Sequence, residues 1–265
     1  MNHHSTTAPV HKVAFIIPPG WFDISPTEFL RVAPGNTIAM QTTMRPPDFD
    51  YSVEQVRAAV PELLVCAQSL AATGADVIAQ FGYPFSLVHG WKHAQEVQQR
   101  IEDTVKTPFV MMGVEVIRAL MHLGCRSVAV ASTYYSHQME KVLGAYLNEA
   151  GVQVESSANW QSQGIAEESD SGIFVGKGAL DPMGWETPEW AVEKAVHMVA
   201  RDNPSSDCIL VTGGGMRLLH LVARLEKETG KTIVAGDLTL YWGISRRLGR
   251  TEGVTGHGRL LANPV

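Results

Sequence analysis

Two glycine turns carry the strongest chemical signal in this chain. Asp76 leads the apolar run 77–81 into Gly82-Tyr83-Pro84, and Asp207 leads Cys208 to Val211 into Thr212-Gly213-Gly214-Gly215. Each reads as a buried strand passing through a glycine turn into a helix-like stretch, which brings backbone N–H groups to one end of a sheet. Glycine lets those amides approach a carboxylate or phosphate without interference from Cβ. A turn duplicated in this way suits one small anion held from two sides. It is not a nucleotide loop: Leu218 stands three residues after Gly215, and no Gly-Lys-Ser/Thr ending follows.

Other side chains could complete such a site. Pro84 suits a first helical position, leaving the Tyr83 amide and hydroxyl as ligand contacts, and Pro18 closes the first strand. Ser132, Thr133 and Tyr134 follow a strand at its presumed carboxyl end, where open α/β sheets bind ligands, whereas Ser136 suits a helix N-cap. His89 and His137 are candidate proton carriers. His93 stands four residues after His89, but Gly90 intervenes and no third ligand is near, so no metal is expected. Asp237 reads either as a reactive carboxyl or as the cap of a helix from Leu238. Glu167, Glu168 and Asp170 read either as loop solvation or as a source of a hydrolytic base.

These residues need a scaffold, and the hydrophobic pattern supplies one. Strands are expected at 13–17, 37–42, 77–81, 109–112, 127–131, 152–155, 208–212 and 232–235. Helices are expected at 52–73 with a kink at Pro61, 94–104, 114–123, 137–150, 190–201, 217–229 and 239–248. This alternation means crossover units and mostly parallel sheets covered by helices. The stretch 160–189 breaks the rhythm; Trp185 and Trp190 would anchor it as an ordered flap.

Composition narrows the function. The chain of 265 residues is long enough for two lobes, and its net charge of −6 without basic runs argues against nucleic acid. No apolar run reaches membrane-spanning length, and the start shows no secretory pattern, so a cytoplasmic protein without membrane contact is expected. Cys66, Cys125 and Cys208 are an odd count in apolar runs and read as core thiols. The composition leaves a homo-oligomer open.

The segments 13–20 (VAFIIPPG), 76–82, 128–134 (VAVASTY) and 207–216 (DCILVTGGGM) resemble, in order and spacing, the aspartate/glutamate racemase superfamily, nearest its arylmalonate decarboxylase and maleate isomerase branch. The resemblance runs from about Lys12 to about Gly249. It implies two pseudosymmetric α/β lobes, 1–124 with 236–265 and 125–235, enclosing a site that uses no metal or organic cofactor. It also implies a catalytic cysteine in each of the two equivalent turns for racemases and isomerases, and in the second turn alone, with glycine at the first, for the decarboxylase branch; here Gly82 and Gly213 occupy the two positions. Cys208, five residues before Gly213, would be some 16 Å away along a strand. Racemisation or cis-trans isomerisation through thiols is therefore not expected.

By position, Tyr134 matches the family's carboxylate-holding tyrosine, and the Gly214 and Gly215 amides match its oxyanion donors. The expected activity is a cofactor-independent lyase or decarboxylase acting on a small carboxylate. Hydrolysis from an acidic base and carboxylate binding without turnover are the alternatives.

Overall fold

The computed structural model describes residues 10–45, 49, 51–167 and 184–263. Among them, β1 (His11–Ile17), β2 (Thr37–Thr43), β3 (Val77–Gln80) and β4 (Phe109–Met111) form one parallel sheet in the order β2-β1-β3-β4. The second parallel sheet repeats that order as β6-β5-β7-β8, built from β5 (Ser127–Thr133), β6 (Gln153–Asn159), β7 (Cys208–Val211) and β8 (Thr232–Ala235). In both sheets the chain leaves the inner strand for the edge and returns on the other side. The strand order therefore reverses between β1 and β3 and between β5 and β7. At such a reversal the loops diverge and leave a crevice at the carboxyl ends of the strands.

The inner strands are apolar because they are covered on both faces; β3 and β7 are buried at every position. Edge strand β2 alternates instead, leaving Ile38 and Met40 exposed. Eleven α-helices are present among the described residues. They are α1 (Ser25–Phe29), α2 (Val53–Ala58), α3 (Val60–Ala72), α4 (Pro84–Leu87), α5 (Trp91–Val105), α6 (Met112–His122), α7 (His137–Glu149), α8 (Glu189–Asp202), α9 (Val222–Thr229), α10 (Gly236–Arg247) and α11 (Arg259–Ala262).

The equivalent helices α6 and α10 pack closely against each other. Gly243 permits the approach, since a Cβ there would lie 2.6 Å from Glu115 Cγ. Buried Glu115 accepts from Arg118 Nη1 at 2.5 Å and Arg246 Nη2 at 3.2 Å, which pairs its charge inside the joint. Helix α10 also contacts β3, β4 and β8, joining both sheets.

Several boundaries differ from the sequence expectation for local reasons. The helix foreseen at 52–73 breaks at Ala59, and Pro61 lies within the first turn of α3. The helix foreseen from Arg217 begins only at Val222, because Gly215 (φ +73°) and Arg217 (φ +55°) are left-handed and cannot continue a right-handed helix. Helix α10 begins at Gly236, three residues early, so Asp237 is inside its first turn rather than capping it. Trp190 is exposed and Trp160, at the start of the stretch, is buried; the Trp185 side chain lies outside the described residues.

Candidate active site

The loops after β1, β3, β5 and β7 meet between the two sheets around a cavity of about 30 Å³. Of the residues singled out in the sequence, Pro18, Gly82, Tyr83, Pro84, Tyr134 and Gly214 line it. Trp21, Tyr51, Phe81, Phe85 and Tyr135 complete the wall. No lysine or arginine lines it among the described residues. The sequence reading missed these five aromatics. The rule that placed Tyr134, a loop following an inner strand, also covers Trp21 after β1 and Tyr135 after β5.

The three glycine amides do not face an open cradle. Gly214 N–H donates to the Tyr134 hydroxyl at 2.8 Å, and the Gly213 amide faces the Tyr135 hydroxyl, where it opposes the rise that burial imposes on that group's pKa. Gly215 N–H donates to Asp237 Oδ1 and Oδ2 at 3.1 and 3.0 Å. The expectation of free oxyanion donors at Gly214 and Gly215 is thus corrected: their amides are held by the protein's own oxygens. The helix expected to follow this turn adds no N-terminal amides to it, since α9 starts nine residues after Gly213.

Tyr134 stands at the centre of this arrangement. Besides accepting from Gly214 N–H, its hydroxyl donates to Gly214 O at 3.1 Å. Burial pushes its pKa up, with Asp237 adding to the rise and Gly214 N–H opposing it, so the side chain stays a neutral O–H donor. Tyr83 is raised as well, by burial first, and its hydroxyl donates to Val211 O at 3.2 Å across the lobes. Thr133 packs beside them with φ +48°, a strained conformation for a β-branched residue, and its Oγ1 donates to Thr212 O at 2.8 Å. The Thr212 hydroxyl is buried with no partner among the described residues.

A side chain would overlap its neighbours at Gly213 and be strained by the backbone at Gly82. A Cβ at Gly213 would lie 2.8 Å from Thr133 Oγ1 and 2.9 Å from Tyr134 Cε1. Gly82 has φ +103°, and a Cβ there would lie 3.2 Å from Pro18 Cγ. Cys66, Cys125 and Cys208 are free and buried, and none lines the cavity.

Behind Gly215 lies a group of buried carboxyls that sequence spacing did not bring together. A Cβ on Gly215 would meet Asp23 Oδ2 at 2.5 Å, on the loop after β1. Asp23 also accepts from Trp21 Nε1 at 2.9 Å and Ser25 N at 2.7 Å, and the Tyr241 hydroxyl donates to Glu28 at 3.3 Å. Burial raises the pKa of Asp23, Glu28 and Asp237, and the negative neighbours raise Asp237 further.

Three expected contacts lie elsewhere. Ser132 turns away from the cavity toward Glu140 and Ser157, which occupy its hydroxyl. His137 is exposed and pairs with Glu140 at 2.7 Å through Nδ1, so it faces solvent. His89 lines a separate concavity with His93, at the far end of α4. Glu167 is exposed, while Glu168 and Asp170 fall outside the described residues. No group of three or more metal-ligating side chains occurs among the described residues.

Two four-stranded parallel sheets, repeated in order and facing one another across these loops, define the two-lobed architecture of the aspartate/glutamate racemase superfamily. A sequence profile of the arylmalonate decarboxylase family matches residues 15–172 and 179–261, and the chain belongs to that family. It is 24% identical over 205 residues to arylmalonate decarboxylase of Bordetella bronchiseptica, covering 77% of this chain and 78% of the relative.

Among solved structures, a liganded double mutant of arylmalonate decarboxylase aligns with a TM-score of 0.79 at 20% identity, covering 95% of this chain and 99% of that one. Nocardia farcinica maleate cis-trans isomerase bound to TRIS aligns with a TM-score of 0.77 at 18% identity, covering 96% and 98%. These structures bear on the fold; the chemistry rests on the site. No helix among the described residues is long and apolar enough to cross a membrane.

Proposed function

We propose that this protein is a cofactor-independent lyase that decarboxylates a small carboxylate substrate in the cavity between the lobes, with Tyr134 as the proton donor. The observation that carries the reading is the position of Tyr134: its ring fills the space next to Gly213 that a second-lobe thiol would need, and its hydroxyl rests on Gly214 N–H at 2.8 Å. A neutral aromatic wall disfavours a charged carboxylate more than the charge-dispersed state formed as carbon dioxide leaves, so desolvation favours bond breaking.

In this reading the bond between the α-carbon and one carboxyl carbon breaks, and its electron pair stays on the α-carbon as an enediolate. The Tyr134 hydroxyl then gives its proton to that carbon. Gly214 N–H stabilises the resulting tyrosinate until solvent restores the proton. Tyr83, which lines the cavity, is a further donor for the remaining carboxylate once its hydroxyl leaves Val211 O. Because the closed cavity holds only about 30 Å³, the aromatic loops must part to admit a substrate.

The test is incubation of the purified protein with aryl- and alkylmalonates, 2-keto acids and other small carboxylates in deuterated water. The expected result is carbon dioxide release with one deuterium at the former α-carbon, abolished or strongly reduced in Tyr134→Phe. Absence of carbon dioxide from the whole panel, or full activity in Tyr134→Phe, overturns the reading or its proton donor respectively.

A second reading, carboxylate binding without turnover, draws on the occupied Gly214 and Gly215 amides and on glycine at positions 82 and 213. It predicts thermal stabilisation by a panel member with no product.

A further inference from the structure

A second concavity, of about 380 Å³, opens at the other end of α4 from the cleft. Arg57 from α2, His89 from the α4–α5 junction, and His93 and Arg100 from α5 converge on it among valine side chains. No carboxylate lines it among the described residues. In a chain of net charge −6, four basic groups gathered around one concavity are a local exception.

The polar partners of these groups leave binding capacity unused. Arg57 Nη2 and Nε donate to Val88 O at 3.0 and 3.3 Å, which holds the guanidinium at the rim and leaves Nη1 available. Arg100 has no side-chain hydrogen bond or ion pair among the described residues. His89 Nε2 is buried and unpartnered, and the His89 and His93 rings lie 5.6 Å apart. Two acids are near the pair, and both are engaged: Glu96 with His93 Nδ1 at 2.9 Å, and Glu149 from α7 with the amides of Trp91 and Lys92 at 2.8 and 3.4 Å.

We infer that this concavity binds a small oxyanion, a phosphate or carboxylate group, through Arg57, Arg100 and the two histidines. Guanidinium groups present paired N–H donors that fit the oxygens of either anion, and the imidazoles add donors once protonated. The electrostatics point the same way. The pKa of His89 is lowered to about 4 by burial first, and then by His93, Arg57 and Arg100. A bound anion opposes the repulsion from those three groups and favours the charged imidazole. The site is separate from the cavity at Tyr134 and Gly214 and does not depend on the lyase reading.

Histidine-ring NMR on the full chain tests the inference, with inorganic phosphate, phenyl phosphate and acetate as separate ligands and chloride as the ionic-strength control. Inorganic phosphate is expected to shift His89 and His93 saturably and to raise the His89 titration midpoint from about 4 toward its ordinary value. Arg100→Gln, on an exposed helix face, is expected to weaken binding about tenfold or more, and His93→Gln provides a second variant should the first fail to fold. Tighter binding of phenyl phosphate identifies a phosphomonoester, whereas acetate matching phosphate identifies a carboxylate. Failure of all three ligands to shift His89 beyond the chloride control, or unchanged affinity in both variants, overturns the inference.

Discussion

The ring of Tyr134 occupies the ground of a side chain at position 213. A Cβ on Gly213 would sit 2.9 Å from both Cε1 and Cζ of that ring, while the hydroxyl reaches one residue further to Gly214 N–H. In this chain the tyrosine ring and a side chain at 213 therefore compete for one space.

Gly213→Cys is therefore expected to destabilise the fold without restoring thiol chemistry. The backbone there has φ +84°, and the new Cβ would overlap Thr133 and Tyr134. A loss of about 2–4 kcal/mol is expected from strain and overpacking together. Urea denaturation measures it. Combining the change with Tyr134→Ala should cost less than the sum of the two single changes, because the alanine vacates the contested space.

Tyr134→Phe keeps the ring and removes the hydroxyl. Gly214 N–H then loses its partner in a buried setting, which costs about 1–3 kcal/mol in stability. Under the lyase reading, turnover falls by about 100-fold or more while substrate affinity changes less. A comparison of kcat with KM for the two proteins checks this; an equal fall in affinity alone assigns the hydroxyl to binding.

Asp237 links stability to pH. Its folded pKa is raised above the ordinary carboxylate value by burial and by Asp23 and Glu28, so between the unfolded and folded values the native state holds a proton that the unfolded state has released. Stability from this group is complete below about pH 4 and is lost as pH rises to the folded pKa, at up to about 1.4 kcal/mol per pH unit. Asp237→Asn should flatten that decline, so the variant compares better with the parent at pH 8 than at pH 5. Equilibrium denaturation across this range measures the difference; parallel profiles would show that Asp237 does not supply the slope.

Activity should withstand thiol alkylation. Cys66, Cys125 and Cys208 are buried and none lines the cavity; burial pushes the Cys66 thiol up to about 11, while a hydrogen bond with Cys208 lowers Cys125, a pair remote from the cavity. Iodoacetamide under native conditions is expected to leave at least about 90% of turnover, whereas a mechanism through a thiolate loses it in proportion to labelling. Peptide mass spectrometry of the treated protein provides the correlation.

Hydrophobic periodicity carried most of the fold. Runs such as 127–131 and 208–212 are apolar because both faces of an inner parallel strand are covered, and that requirement is written locally. Boundaries set by backbone handedness were less visible. Arg217 can adopt either a helical or a left-handed conformation, and only the fold around Gly215 selects the latter.

Within the site, the sequence by itself determined the two glycine turns, the absence of side chains at 82 and 213, and the placement of Tyr83 and Tyr134 at strand ends. Those properties follow from residue type and from position relative to a strand. Tertiary structure alone decided where the glycine amides point: toward Tyr135, Tyr134 and Asp237, partners 22 to 80 residues away. It also gathered Asp23, Glu28 and Asp237 and sent Ser132, His89 and His137 away from the cavity. Hydrogen bonds and burial between distant segments depend on the approach of whole elements, and no local spacing encodes that approach.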